Sequence, residues 1–202
     1  MSFQPIWEFT LKKEGGFQQL QNDSANYCNE QLIGTKYGIS AIAYKQRFGM
    51  CPTVQQMQNL TIEQARDIAY NNYFVKSGAI YFGNEGISHL VFQEFFGSGY
   101  GGMKRVREAI NQAANSNLVD VNNKVLTVQE VRKAETLDQK KLFLAIWNNA
   151  VEFRKTLPYA KSYLTRWNEL KTKYIYRFDL IYIFYGIIGI LAAILLYFYF
   201  KK

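Results

Sequence analysis

Two threonine-led capping boxes, Thr61-Ile-Glu-Gln64 and Thr127-Val-Gln-Glu130, constrain this chain more than any other local feature, because each commits the residues that follow to a helix. In such a box the hydroxyl takes an N–H of the first turn and the side chain three residues on reaches back. The first box predicts a helix over residues 61–73. Residues 137–156 carry Leu142, Ile146, Ala150 and Phe153 at helical spacing. Residues 39–48 read as a helix ended by Pro52. Residues 86–96 and 103–114 read as two more, divided by the glycine-rich segment 97–102. Strands and helices do not alternate as they would around a parallel sheet, so the expected class is mainly α.

Two segments break this pattern. Residues 17–36 are rich in Asn, Asp, Gln and Gly with little periodicity, which predicts an irregular loop or small hairpin and a natural place for a cleft. Residues 118–126 predict a hairpin turning at Asn122 and Asn123. Before the first of these, residues 6–13 form a short helix stopped by Gly15 and Gly16, with Glu14 at its C-terminal end.

The tail has a different character. Residues 178–200 hold one charge, Asp179, and end in Lys201 and Lys202. As a helix of about 34 Å the segment matches a hydrocarbon core of about 30 Å, which predicts a C-terminal transmembrane anchor in a bacterial inner membrane. Lys161, Arg166, Lys171, Lys173 and Arg177 before the span outnumber the two lysines after it, so the positive-inside rule places the domain on the cytoplasmic side, whereas wall remodelling would need it outside. No secretory signal is visible at the N-terminus. The 202 residues suit one compact domain plus this element.

The formal charge of +8 lies almost wholly ahead of the tail and suits polyanionic partners without choosing among them. Lys104, Arg105 and Arg107 beside Tyr100 could meet nucleic acid, but one solvated helix face is the favoured reading and no nucleic-acid partner is expected. Gly97-x-Gly99-x-x-Gly102 formally matches a dinucleotide fingerprint yet lacks the βαβ setting. His89 is the only histidine, which leaves a histidine-based metal site or catalytic triad without support. Cys28 and Cys51 are the only cysteines and are equally compatible with a disulfide and with free thiols.

Glycosidic hydrolysis needs a carboxylic acid to protonate the leaving oxygen, with a second carboxylate or a held water across the sugar. Glu14-Gly15-Gly16-Phe17 offers such an acid. It is followed by Gly34-Thr35-Lys36-Tyr37-Gly38-Ile39-Ser40, by Leu60-Thr61-Ile62-Glu63-Gln64-Ala65, and by Asn72-Tyr73-Phe74. In this order the motifs resemble glycoside hydrolase family 108, phage and bacterial N-acetylmuramidases once described as secretion-activator proteins. The resemblance covers most of residues 3–170. It implies a lysozyme-like helical domain that cleaves the bond between N-acetylmuramic acid and N-acetylglucosamine, with Glu14 as general acid and no metal or organic cofactor.

For the second carboxylate the resemblance leaves two candidates. Asp23 lies nine positions after Glu14 and Glu30 five before Thr35; the family's aspartate fits one spacing or the other, with Asp23 slightly favoured. Thr35 is implied as a holder of the attacking water, Tyr37 as a hydrogen-bond partner of the acid or a contact to the sugar, and Gly38 as a further sugar contact; fixing the loop is the plainer role open to Thr35 and Tyr37. The family's Asp-Pro-Gly-Gly is missing, and its later wall-binding motif survives as residues 120–127 without the glycines. Its closing Gly-Trp-x-x-Arg stands here as Ser162-Tyr163-Leu164-Thr165-Arg166.

The expected organisation is a catalytic region over 1–115, a peptidoglycan-binding-like helical region over 116–177 and an anchor over 178–200. The expected partners are bacterial peptidoglycan, the membrane, and phage lysis or cell-envelope machinery. A catalytically inactive, membrane-anchored wall-binding or scaffold protein is the rival reading, and a pore-forming lysis protein a third.

Overall fold

The computed structural model describes residues 2–200, with side chains for all of these except 179, 181–187 and 189–200. The chain divides into two compact units, Met1–Ala150 and Val151–Lys202. The first unit begins with α1 (Gln4–Leu11) and continues into two short antiparallel hairpins, β1 (Tyr27–Cys28) with β2 (Gln31–Leu32) and β3 (Thr35–Lys36) with β4 (Ile39–Ser40). It goes on through α2 (Ala41–Phe48), α3 (Val54–Gln58), α4 (Ile62–Ala69), α5 (Glu85–Ala114), α6 (Val128–Glu135) and most of α7 (Gln139–Lys155). The mainly helical class with a small hairpin region is thus what the chain adopts.

The local signals act as expected at the capping boxes. Thr61 with Gln64 starts α4, and Thr127 with Glu130 starts α6. A third box, Thr53 with Gln56, starts α3 and went unread. Beyond α4 the helix widens into a π-helical turn, Tyr70–Val75. This turn sends Phe74 into a buried ring cluster, with centroids 4.9 Å from Phe3 and 6.3 Å from Phe92. Tyr73 faces the other way, toward Phe95 and Phe96. The glycine-rich segment does break helicity inside α5, at Gly99 alone. Cys28 and Cys51 form a disulfide that ties β1 to the segment after α2.

Two expectations in the first unit need correction. Arg107 does not lie on a solvated helix face: it is fully buried, and its guanidinium donates to both Glu130 carboxylate oxygens at 2.7 and 2.9 Å, to the Asp120 carbonyl at 2.8 Å and to the Val125 carbonyl. The segment 118–126 forms no hairpin. Its backbone is held instead by Arg107, by the Ser77 carbonyl, which accepts from the Leu126 N–H at 3.3 Å, and by Asn111, whose amide both accepts from the Val119 N–H and donates to the Val119 carbonyl at 2.9 Å. Side chains reaching out from α5 replaced the cross-strand ladder that the Asn-Asn turn suggested.

The second unit contains the end of α7 and α8 (Ala160–Phe200). The transmembrane anchor expected here is corrected, and with it the inner-membrane location, the membrane as a partner and the membrane-anchored form of both the enzyme and the scaffold readings. Among the described residues no helix is long and apolar enough to cross a membrane. The described part of α8 is amphipathic: Trp167, Leu170, Tyr174 and Phe178 are buried at helical spacing, while Lys161, Glu169 and Arg177 are among its charged residues. Arg154 stacks over the Trp167 ring at 4.4 Å. The expectation rested on a length rule applied to the apolar run alone, and most side chains of that run lie outside the described residues.

Candidate active site

Glu14 follows α1 in a turn whose backbone is gathered on one carbonyl. The Thr10 carbonyl accepts from the Lys13 N–H at 2.8 Å and from the Glu14 N–H at 3.2 Å. Thr10 is itself pinned from the core. Its hydroxyl donates to the Ile6 carbonyl at 2.8 Å and accepts from the Gln93 amide at 2.6 Å, and Gln93 Nε2 lies 3.3 Å from His89 Nε2. Thr10, His89 and Gln93 are all buried, so α5 holds the end of α1 that carries the acid. His89 serves this chain and packs edge-on against Phe9. Among the described residues no group of three His, Cys, Asp or Glu side chains could hold a metal ion.

Past Glu14 the chain runs antiparallel to the second hairpin. The Tyr37 N–H donates to the Gly15 carbonyl at 3.1 Å, and Gln18 and Thr35 exchange backbone bonds at 2.9 and 2.8 Å. The hairpin turns on Tyr37 and Gly38, with φ of 53° and 74°, as a two-residue turn matched to strand twist requires. A Cβ on Gly38 would lie 3.0 Å from the Glu14 carboxyl carbon and 2.8 Å from two ring carbons of Phe96. The half-buried Glu14 carboxyl therefore rests against bare backbone, next to an aromatic wall.

That wall comes from distant sequence. Phe96 stacks on Phe92 at 5.3 Å and meets Tyr73 edge-on at 4.9 Å, and Tyr73 also meets Phe95 at 5.8 Å. Burial pushes the Tyr73 phenol up to about 12, so it stays protonated at any ordinary working pH. A carboxyl placed between a rigid turn and such a wall can present a proton to an oxygen brought beside it.

The other sequence candidates fall into separate settings. Thr35 is half-buried, and its hydroxyl donates to Asn26 Oδ1 at 2.5 Å. Asp23 caps the short 3-10 turn Ser24–Asn26, with Oδ1 accepting from the Ala25 N–H at 3.0 Å. Glu30 stands exposed at the tip of the first hairpin with φ of 64°. The structure thus brings together Glu14, the Tyr37-Gly38 turn and, through strand pairing, Thr35. It gives Asp23 and Glu30 local roles in loop geometry.

Sequence reading missed Asn26, which is fully buried and organises this loop. Its carbonyl accepts from the Ile33 and Gly34 N–H groups at 2.8 and 2.9 Å, and its amide donates to the Leu20 carbonyl at 3.0 Å. Phe96 and Gln93 were missed as well. Only Asn26 had any local signal, one polar residue in a polar loop, and nothing in its neighbours marked it as the hub.

Residues 7–99 match the family described as Glycosyl hydrolase 108. The match covers less than half of the 202-residue chain but takes in Glu14, both hairpins, Tyr73 and Phe96. The match is a likeness of this segment, not of the whole chain, to that family. A similar solved structure is described as "Structure of Brucella abortus SagA", with a TM-score of 0.67 and 15% identity over 86% of this chain and 93% of that one. At that identity the likeness is one of fold. No curated protein matches the chain. The matched segment ends at Gly99, the residue where α5 kinks.

Proposed function

We propose that the chain is a peptidoglycan hydrolase, an N-acetylmuramidase in which Glu14 is the general acid. The observation that carries this reading is the Glu14 carboxyl seated on Gly38 beside Phe96, inside the segment that matches glycosyl hydrolase 108. Glu14 protonates the glycosidic oxygen as the bond to the N-acetylmuramic acid carbon breaks, and water then adds to that carbon. Thr35, fixed by Asn26, orients the water, and Asp23, half-buried where Glu30 is exposed, is the second carboxylate that this reading favours. Tyr37 and Gly38 line the sugar's path. Residues 1–115 carry this chemistry, and residues 116–177 form the wall-binding-like part.

The test is loss of turbidity of purified peptidoglycan with the full chain, wild type beside Glu14→Gln, followed by mass spectrometry of the fragments. The reading expects new reducing ends at N-acetylmuramic acid from wild type and none from the variant. Equal release by both proteins would sink the role of Glu14. Sedimentation of both with the wall and no release by either would replace the enzyme with a wall-binding protein.

A further inference from the structure

A single exposed aromatic ring on a protein surface ordinarily needs no explanation. Tyr100 is set apart by three observations. It is 46% exposed, yet it sits at the end of a continuous run of ring contacts that begins at the candidate acid. Phe96 and the Glu14 carboxyl both lie against Gly38, Tyr73 touches both Phe96 and Phe95, and Phe95 meets Tyr100 at 5.7 Å.

The helix breaks immediately before it. Gly99 has φ 52° and ψ −134°, a conformation that only glycine adopts readily. Nothing lies within 4 Å of where a Cβ on Gly99 would stand. The glycine is therefore required by the backbone and not by crowding, and what the kink changes is the direction in which Tyr100 leaves α5.

The third observation is a cation. The Lys124 ammonium stands 5.2 Å from the centre of the Tyr100 ring, on a segment that contains no regular structure. That segment is nonetheless fixed, because buried Arg107 holds the carbonyls of Asp120 and Val125 on either side. An exposed ring and an exposed ammonium are thus both held by rigid backbone.

We propose that Tyr100 and Lys124 form a glycan subsite, one that takes a strand of amino sugars bearing carboxylates. The apolar face of a pyranose stacks on the Tyr100 ring, and the ammonium pairs with a carboxylate on the sugar or its attached peptide. The charge fits: Tyr100 is joined to the acid's neighbourhood by packing among uncharged rings, and the cation stands beside Tyr100. This subsite deepens the muramidase reading and rests on it.

The experiment measures calorimetric binding of two soluble oligosaccharides of equal length, one alternating N-acetylglucosamine with N-acetylmuramic acid and one of N-acetylglucosamine only. The host is the full chain carrying Glu14→Gln, so that no ligand is cleaved, and wild-type turnover of peptidoglycan is measured beside it. Tyr100→Ala should weaken both ligands by about fivefold or more, and Tyr100→Phe should bind like the host. Lys124→Gln should weaken only the carboxylate-bearing ligand, by about threefold or more. Binding unchanged in Tyr100→Ala, with wild type active on the wall, overturns the subsite and leaves the muramidase reading intact. Equal weakening of both ligands by Lys124→Gln overturns the carboxylate assignment. Absence of both binding and turnover overturns subsite and muramidase reading together.

Discussion

The carboxyl carbon of Glu14 lies 3.0 Å from the place where residue 38 would carry its Cβ, so the turn and the acid fit only because residue 38 is glycine. Gly38→Ala strains a φ of 74°, at a cost of about 1–2 kcal/mol, and drives a methyl into Phe96 and Glu14. Peptidoglycan turnover per folded molecule should fall about tenfold or more, because a small displacement of an acid carries a large kinetic penalty. Steady-state rates corrected for the folded fraction by circular dichroism check this. An unchanged rate would mean that the contact does not position the acid.

Arg107 and Glu130 make a second prediction. Among the three threonine-led boxes described, this is the one closed by a carboxylate, and it is the one that faces a buried arginine. Partial burial raises the Glu130 carboxyl, but hydrogen bonds from Arg107 and Thr127 together with the arginine's charge outweigh it and bring the group down to about 2. A carboxyl lowered on folding adds stability that is complete above its unfolded pKa of about 4.5 and disappears as pH falls toward 2. Urea midpoints should drop over that window in wild type, and Glu130→Gln should flatten that part of the profile. Arg107→Ala should cost about 3 kcal/mol or more at neutral pH, since it strands Glu130 and two carbonyls.

The disulfide gives a third. Cys28 and Cys51 close a loop with a sequence separation of 23. Replacing both with serine should remove about 3 kcal/mol, chiefly by freeing the unfolded chain. Urea unfolding of the double variant beside oxidised wild type measures it, and matching midpoints would contradict the estimate.

The buried chain behind the acid gives a fourth. Thr10→Val keeps the shape but removes the hydroxyl that accepts from the Gln93 amide and donates to the Ile6 carbonyl, at a cost of about 1–3 kcal/mol. Thr10→Ser, which keeps the hydroxyl, should lose clearly less in thermal denaturation. Equal losses would assign the effect to packing alone.

The helices were legible where the chain states its own boundaries. Thr61 and Thr127 announce α4 and α6 because a cap is a local event, readable within four residues. Glu14 was singled out by its glycine pair and by the order of the motifs after it, while its seat against Gly38 beside Phe96 had no local signal. The irregular parts were less legible. The π-helical turn over Tyr70–Val75 carries no cap or breaker that would announce it. The fate of residues 118–126 was decided by Arg107, a residue that composition alone places on the surface. Asn26 and Gln93 act through partners elsewhere in the chain, such as Thr35 and Thr10, and polar residues of their kind show no periodicity. The tail was read by a length rule on its apolar run alone, and most side chains of that run lie outside the described residues.

The acid and its wall also belong to different scales of folding. Glu14, both hairpins and the disulfide are contacts among neighbours in sequence, which close early and cheaply, whereas Phe96 reaches Gly38 only after the long excursion to α5. A molecule that has opened α5 but kept its hairpins would lose the Gln93 pin on Thr10 and would hold the carboxyl only by the backbone bonds of its turn. It would hold it in water, without the ring that sets it apart from any other surface glutamate.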